Sequence, residues 1–281
     1  MQQSIELDTS AWTGCHVQLL RSLDQWSGGC HGEASIQAAY IHLILNALHS
    51  VHIEQQFFVT DTAGGGVKNG IGSAIVKRIK RAVAEGQEDF RVNVILPLSP
   101  AMGSSPEADP VCRKLVGYTY KSICRGKSSI MSQIRGVTDD ADRYIGFYGL
   151  RQYGLLDSGK CATSQVYVHG KLIIVDDRHV ICGSANINDR SMLSHSDSEL
   201  AVLTSPSPGD EVATTMCNKQ WTASRFAHTL RTRLWQRHLG LDSVGPASDP
   251  GSQEALSLWS SVATANTQAY RECFRCINHK P

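Results

Sequence analysis

The feature that most constrains the fold of this chain is a set of short apolar runs in residues 165–192 that are rich in β-branched side chains. Such residues favour β-strands when polar residues or glycine bound them. The β-branched positions are Val166, Val168, Ile173, Ile174, Val175, Val180 and Ile181. Because side chains alternate between the faces of a strand, His169 and Lys171 are expected to project from one face, about 7 Å apart. The sequence thus places a group that titrates near pH 7 beside a fixed positive charge.

The polar residues of this region have a regular spacing. His169, Lys171 and Asp176 form the pattern H-x-K-x-x-x-x-D, and after six residues Gly183, Ser184 and Asn186 form G-S-x-N. Cations and polar donors stabilise the charge of a transferring phosphoryl group, and histidine serves there as nucleophile or as acid and base. Any one of these residues alone is more often solvated or internally satisfied. Their joint spacing is what predicts a site for phosphate ester chemistry.

Together these residues resemble the HKD signature of the phospholipase D superfamily. Other segments resemble the eukaryotic phosphatidylcholine-hydrolysing phospholipases D in particular. They are residues 187–192 with Asp197, Ser198 and Glu199, IEQQFF at 53–58, CRGKSSI at 124–130, YGLR at 148–151 and ECFRC at 272–276. One departure is Gln55, where the family usually has Asn, so Gln55 and Gln56 are left outside the predicted catalytic set.

The resemblance implies a fold and a domain organisation. It identifies residues 12–279 as one lobe of the bilobal phospholipase D fold, with residues 165–192 as the second HKD motif. The lobe that would carry the first motif, on the N-terminal side, is expected to be missing from this sequence. The likeness therefore corresponds to the second half of the family's catalytic region.

The resemblance also implies phosphatidyl transfer in two steps. One histidine attacks phosphorus and releases choline; the other protonates the leaving alcohol and then activates water or a primary alcohol. The resemblance gives His169 the acid/base role, although the residues themselves leave the nucleophilic role open. Lys171, Ser184 and Asn186 are expected to bind the phosphate, and no metal is expected.

Carboxylates complete the predicted catalytic set. Glu199 is expected to hydrogen-bond the catalytic histidine and fix its tautomer and orientation, as an acidic residue at about this distance does in the family. Asp197 is the competing candidate for that role. Asp176 is expected to support the lysine and its strand rather than to transfer protons.

Three hypotheses about function remain open, because the chemistry needs two facing HKD motifs and this sequence contains one. The first is a phospholipase D catalytic half, a fragment that is inactive alone. The second is a single-motif phosphodiesterase or nuclease that pairs two copies of His169 in a homodimer. The third is a non-catalytic half-domain that binds membranes or partners. The eukaryotic lipase-like segments favour the first.

Composition limits the partners and the compartment. With 27 basic and 26 acidic residues the net charge is +1, which gives no global attraction for nucleic acid. Nine scattered cysteines favour reduced thiols, and the lone Cys273–Cys276 pair is not expected to hold a metal. No apolar run approaches the roughly 20 residues of a membrane span, and a signal peptide is not recognised. We therefore expect a cytoplasmic protein that meets its phospholipid substrate as a peripheral membrane protein. No cofactor is expected, and the resemblance admits stimulation by phosphoinositides.

Helical and strand periodicities alternate along the chain, which predicts an α/β fold with a mixed β-sheet flanked by helices. The predicted strands outside the motif are 17–20, 51–58, 91–98, 143–150 and 200–203. The predicted helices are 33–49, 70–85, 111–124, 129–134, 212–239 and 253–276. The proline-rich loop 99–110 is long enough to be functional, and the resemblance, which puts this region near the substrate entrance, implies that it faces lipid.

Overall fold

The structure, a computed structural model, describes residues 14–29, 31–98 and 109–274. The strands in these ranges are β1 (His16–Leu23), β2 (Glu33–Ala34), β3 (Ser50–Gln55), β4 (Arg91–Ile95), β5 (Ile145–Tyr148), β6 (Arg151–Leu155), β7 (Cys161–Gln165), β8 (Lys171–Val175), β9 (His179–Gly183), β10 (Glu199–Ser205), β11 (Glu211–Met216) and β12 (Lys219–Ser224). The α-helices are α1 (Gln25–Gly28), α2 (Ser35–Asn46), α3 (Ile71–Ala84), α4 (Pro110–Ile123), α5 (Ile130–Arg135), α6 (Ala141–Tyr144), α7 (Asp189–Met192), α8 (Arg225–Leu239) and α9 (Gln253–Phe274).

Eight strands form one sheet in the order β2-β1-β10-β9-β8-β3-β4-β5. Strands β3, β4 and β5 are parallel to each other, and the remaining neighbours in this sheet are antiparallel. Strands β6 with β7 and β11 with β12 form two separate hairpins. The mixed sheet with helices packed on it confirms the predicted fold class.

Alternating side chains of the central strands divide the core into layers. Ile173 and Val175 of β8 pack in the large cluster that includes apolar residues of α2, α3 and α5. Leu172 and Ile174, on the opposite face, pack against Ala227 of α8. Because both faces of the strand are covered, its sequence is continuously apolar after Lys171. Among the described residues, no helix has the length and apolar character needed to cross a membrane.

Two predicted elements differ from the structure. The predicted helix over 212–239 begins only at Arg225, because residues 211–224 form the β11–β12 hairpin. Its turn residues Cys217 and Asn218 have φ values of 55° and 59°, the left-handed conformation that two-residue hairpin turns require. The strand predicted at Val166 and Val168 is also absent, since residues 166–170 form an irregular segment between β7 and β8.

Some predictions fall outside the described residues. Residues 99–108 of the loop predicted to face lipid lie there, as do Cys276 and the two ends of the predicted 12–279 lobe. Residues 109 and 110 of that loop are described and form the start of α4, where the Asp109 side chain accepts the Val111 N–H at 2.8 Å.

The structure shows how Asp176 of the predicted catalytic set is placed. Asp176 follows β8 at the end opposite Lys171, roughly 17 Å away along the strand. Its carboxylate accepts the backbone N–H groups of Leu48, His49 and Ser50 at 2.7, 2.7 and 2.8 Å. Its backbone φ of 54° forms the turn into β9. Asp176 therefore supports the strand, as expected, but it is remote from the lysine and from the reacting groups.

Replacing Asp176 with alanine is expected to destabilise the fold by on the order of 3 kcal/mol or more, because three buried N–H groups lose their acceptor. Urea unfolding of the purified chain measures this change. Asp139 is exposed and makes no side-chain hydrogen bond among the described residues, so Asp139→Ala is the matched control and should change stability by less than about 0.5 kcal/mol. Equal unfolding midpoints for the two variants would contradict the structural role of Asp176.

Candidate active site

His169 and Lys171 meet where the irregular segment enters β8. The His169 side chain is exposed, whereas Lys171 is only 8% exposed. Lys171 Nζ lies 3.2 Å from His169 Nδ1 and donates to the His169 carbonyl oxygen at 2.7 Å. The prediction that a cation lies beside the imidazole is thus correct. Residues 166–170 are irregular rather than extended, so strand alternation does not set the distance between these two groups.

Gln56 is the residue of this site that the sequence analysis excluded. Its Oε1 accepts a hydrogen bond from Lys171 Nζ at 2.8 Å, and its Nε2 donates to Tyr167 OH at 2.8 Å. The Tyr167 ring lies 6.2 Å from the His169 ring. One side chain that directly follows β3 therefore positions the ammonium group and the residue that flanks the imidazole. The signal in the sequence was the alternation of Glu54 and Gln56, which places two polar side chains on one face of a predicted strand.

Gln55, its neighbour, has a different function. The side chain is fully buried, and its Oε1 accepts the N–H of Ile187 at 3.2 Å. Its Nε2 donates to Tyr40 OH at 3.2 Å. Gln55 thus fastens the segment after G-S-x-N to the central strand and to α2.

The G-S-x-N segment leaves the sheet at the end of β9. A Cβ on Gly183 would lie 2.4 Å from the Leu200 carbonyl oxygen, so the pairing of β9 with β10 requires glycine here. Ser184 Oγ accepts the Leu200 N–H at 3.1 Å and donates to the Glu199 carboxylate. The strand pairing therefore brings Ser184 and Glu199 together.

The partners of Glu199 differ from those predicted. Its carboxylate accepts hydrogen bonds from Ser184 and, at 2.6 Å, from Ser191 Oγ, and no hydrogen bond joins it to His169. Asp197, the competing candidate, is paired with Arg190 at 2.6 Å. The physical reason is the register of β10, which places Glu199 opposite Ser22, near the end of β1, and beside the end of β9. Neither carboxylate orients the imidazole in this structure.

The charge of Glu199 affects the pKa of Lys171. Burial lowers the pKa of Lys171, and the negative charge of Glu199 opposes that shift. Asn186 has a buried amide oxygen without a hydrogen-bond partner among the described residues, so a ligand or water with an O–H or N–H group would complete it. The structure therefore brings together His169, Lys171 and Gln56, with Glu199 near enough for its charge to act on the lysine.

One described group of side chains is close enough to share a metal ion. The ligand atoms of His52, Glu54 and His238 lie within 4.8 Å of one another. Both histidine Nε2 atoms hydrogen-bond Glu54 Oε1, at 3.0 and 2.7 Å, and Trp235 Nε1 donates to His52 Nδ1 at 3.1 Å. A metal on His52 Nε2 would move the imidazole proton to Nδ1, where it would face the Trp235 donor. The geometry favours a hydrogen-bond network over a metal centre here.

This network lies beneath the motif. Glu54 Oε2 is 3.8 Å from the place a Cβ would take on Gly170, between the histidine and the lysine of the motif. Burial alone would raise the pKa of Glu54, but hydrogen bonds from His238 and His52 and their charges hold it well below its usual value. Burial lowers the pKa of His52, and Glu54 opposes only part of that shift.

The lowered pKa of His52 predicts a loss of stability in acid. The unfolded chain takes up a proton as the pH falls through the ordinary histidine value of 6.5, whereas the folded chain does so only at lower pH. Stability should therefore fall between pH 7 and pH 5, with a contribution from this group approaching about 1.4 kcal/mol per pH unit.

His52→Gln should reduce the pH dependence of the unfolding free energy, measured by urea titrations from pH 7 to pH 5. His16 is exposed and supplies the matched control, since His16→Gln should leave that dependence unchanged. A His52→Gln variant whose stability falls as steeply as that of the parent would contradict the argument.

Comparison with known proteins places this geometry in context. The family description named Phospholipase D matches residues 153–278. Phospholipase D zeta 1 of Arabidopsis thaliana is 42% identical over 277 residues, covering 94% of this chain and 25% of that protein. A Phospholipase D of Phytophthora infestans is 40% identical over 266 residues, covering 93% of this chain and 15% of that protein. Thus the chain spans a quarter or less of these relatives. Among solved structures, NUC from Salmonella typhimurium, a phospholipase D family member, aligns with a TM-score of 0.42 and 17% identity over 81% of this chain and 95% of that chain.

Proposed function

This chain belongs to the phospholipase D superfamily, and from that premise we propose that it supplies half of an active centre that hydrolyses phosphatidylcholine. The products would be choline and phosphatidic acid. The substrate would be met at a membrane surface, by a cytoplasmic protein in peripheral contact with the bilayer. The absence of strong positive charge, at a net +1, supports a lipid substrate over nucleic acid.

The observation that carries the proposal is the contact between Lys171 and His169. A mostly buried ammonium group lies 3.2 Å from the ring of an exposed histidine. Gln56 holds the ammonium from the other side. A phosphate oxygen bound at this cation would therefore lie within reach of the imidazole, which is the geometry that proton transfer to an ester oxygen needs.

The reaction divides into two displacements at phosphorus. In the first, a facing histidine forms a bond to phosphorus, the bond from phosphorus to the choline oxygen breaks, and His169 gives its proton to that oxygen. In the second, neutral His169 takes a proton from water as the water oxygen bonds to phosphorus and the phosphorus–nitrogen bond breaks. The sum is phosphatidylcholine plus water giving phosphatidic acid plus choline.

Two histidines are needed because the entering and leaving groups lie on opposite sides of phosphorus in an in-line displacement. One imidazole cannot attack from one side and protonate the leaving group on the other. The sequence contains a single H-x-K-x-x-x-x-D motif. The facing histidine would come from a lobe that carries another HKD motif, or from a second copy of this chain.

Substituting His169 with alanine should abolish choline release, by at least about 10²-fold, because the leaving choline loses its proton donor. The assay uses phosphatidylcholine vesicles and this chain, both alone and with a separately expressed lobe that carries a first HKD motif. His195 is exposed and provides the control, since His195→Ala should retain activity. Residual choline release above a few per cent in the His169 variant would refute the acid/base assignment.

A substrate with a p-nitrophenyl leaving group separates the two histidine roles. Because p-nitrophenolate departs without a proton, His169→Ala should still form a covalent phosphohistidine on the facing histidine and then fail to hydrolyse it. Absence of this intermediate would assign the nucleophilic role to His169.

A different result would favour the homodimeric nuclease. In that case the chain alone would be active, its activity would elute with a dimer in size-exclusion experiments, and it would cleave an oligonucleotide.

The pKa of Lys171 predicts an early alkaline limit for the same reaction. Burial lowers this pKa, so the cation should be lost at a lower pH than for an exposed lysine. Glu199 opposes the shift, so Glu199→Gln should move the alkaline limb of the pH–rate profile to still lower pH. Lys171→Arg should remove the limb from the accessible range, because arginine stays protonated.

Asp197→Asn is the matched control for Glu199→Gln. Asp197 is paired with Arg190 and does not act on the lysine, so its variant should keep the parental alkaline limb. Thermal melting must show that each variant is folded, because Glu199 also holds Ser184 and Ser191. Identical limbs for the Glu199 and Asp197 variants would remove Glu199 from the electrostatic control of the lysine.

A further inference from the structure

The β6–β7 hairpin presents three large apolar side chains to solvent within four residues. Tyr153, Leu155 and Leu156 are 75, 74 and 55% exposed. The hairpin is a two-stranded sheet of its own, separate from the eight-stranded sheet. Such hairpins are marginally stable in water unless an apolar face is covered. Because exposed apolar side chains that cluster in this way mark contacts with a protein or a membrane, the hairpin is a candidate contact surface.

Strand alternation gives the hairpin one face that is both apolar and basic. Side chains at alternate positions of a strand share a face, so Arg151, Tyr153 and Leu155 of β6 lie on the same side. The contact between the first two agrees with this, since the Arg151 guanidinium carbon lies 5.0 Å from the centre of the Tyr153 ring. The face therefore has a cation near its base and apolar groups towards the turn.

The turn of the hairpin satisfies its own backbone. The Leu156 N–H donates to the Lys160 carbonyl oxygen at 2.9 Å, and the Leu156 carbonyl oxygen accepts the Gly159 N–H at 2.8 Å. Leu156 can thus enter apolar surroundings without leaving its N–H or C=O unpaired. The Lys160 side chain is exposed, and Asp157 is the acidic residue of the hairpin sequence, against two basic residues.

The base of the hairpin is fixed beside the motif. The Val166 N–H donates to the Leu150 carbonyl oxygen at 3.2 Å, which closes the hairpin where it leaves the protein. Val168 is buried in an apolar cluster against which Leu150 also packs. His169 follows the end of β7 by four residues. A surface that meets the apolar face of the hairpin is therefore held close to the catalytic histidine.

The size and chemistry of this face favour a bilayer over a protein partner. Three apolar side chains are few for a stable protein interface, which buries roughly 800 Å² on each partner. The interfacial region of a membrane accepts separate leucine and tyrosine side chains, and basic residues beside them meet lipid phosphates. A hairpin with Leu155 and Leu156 at its tip and Arg151 and Lys160 beside them has this composition.

We propose that the β6–β7 hairpin is the membrane-docking element of this chain. Its apolar side chains Tyr153, Leu155 and Leu156 enter the interfacial region of a bilayer, and Arg151 and Lys160 face the phosphates of the lipid headgroups. The inference rests on the proposed function in one respect, since it names the surface that brings the proposed active centre to its lipid. Docking itself is measured without catalysis.

Sedimentation with lipid vesicles tests the proposal. The protein carries His169→Ala, so that no phosphatidic acid accumulates, and the vesicles contain phosphatidylcholine alone or with added phosphatidic acid. The double substitution Leu155→Ser with Leu156→Ser should weaken binding to both kinds of vesicle by at least about tenfold, because the apolar contact is lost. Lys160→Gln should leave binding to phosphatidylcholine unchanged and weaken binding to the anionic vesicles about fivefold.

Two exposed apolar residues of β1 supply the matched control. Val17 and Leu19 are 60 and 65% exposed, so Val17→Ser with Leu19→Ser makes the same change in polarity at a distant strand and should bind vesicles like the parent. Urea unfolding checks that both double variants are folded. Absence of vesicle binding by the parent, or equal binding by the two double variants, overturns the proposal.

A separate result would assign the hairpin to the facing half instead. If the Leu155 and Leu156 variant binds vesicles normally but no longer associates with a separately expressed lobe that carries a first HKD motif, the hairpin is a contact between lobes and the membrane proposal is wrong. Choline release by the paired lobes judges the proposed function independently. Vesicle binding that depends on the hairpin, without choline release, would remove the proposed function and leave the docking element in place.

Discussion

The register between β3 and β8 depends on one carboxylate. Asp176 accepts the N–H groups of residues 48–50, and its own N–H donates to the Ser50 carbonyl oxygen at 2.9 Å. From this anchor the antiparallel pairs run from Val51 with Val175 to Gln55 with Lys171. A slip of one residue would turn every side chain to the other face of the sheet. The aspartate of the motif therefore positions the lysine through the strand, from its far end.

Residues at the carboxyl end of β3 connect this strand to the rest of the site. Three consecutive polar residues there bind three different parts of the molecule: Glu54 bonds His238 of α8, Gln55 bonds the segment after G-S-x-N, and Gln56 bonds Lys171. Each bond is buried or partly buried, where hydrogen bonds between well-placed groups give a single arrangement. The positions of the motif side chains thus depend on residues at the end of β3, about 115 residues earlier in the chain.

The sequence predicted the sheet and its covering helices because their apolar periodicity is local. It missed the hairpin at 211–224, since a β-branched run followed by a helix reads as one apolar stretch until the left-handed turn is known. It also missed Gln56, because contact with the lysine depends on pairing between distant strands. The partner expected for Glu199 was wrong for the same reason: the β9–β10 register, rather than sequence distance, brings it to Ser184. Local patterns predicted the elements, while tertiary register decided the contacts.

The charge of the phosphate gives a second reason, besides the need for two histidines, to expect a facing half of the active centre. Lys171 is the cation that contacts His169, and it already lies in the field of Glu199. A phosphodiester brings a negative charge that spreads over its oxygens during transfer. One lysine opposed by a carboxylate leaves much of that charge uncompensated. A facing motif of the same composition would add a second lysine on the opposite side of the phosphate, where preorganised positive charge stabilises the transition state most effectively.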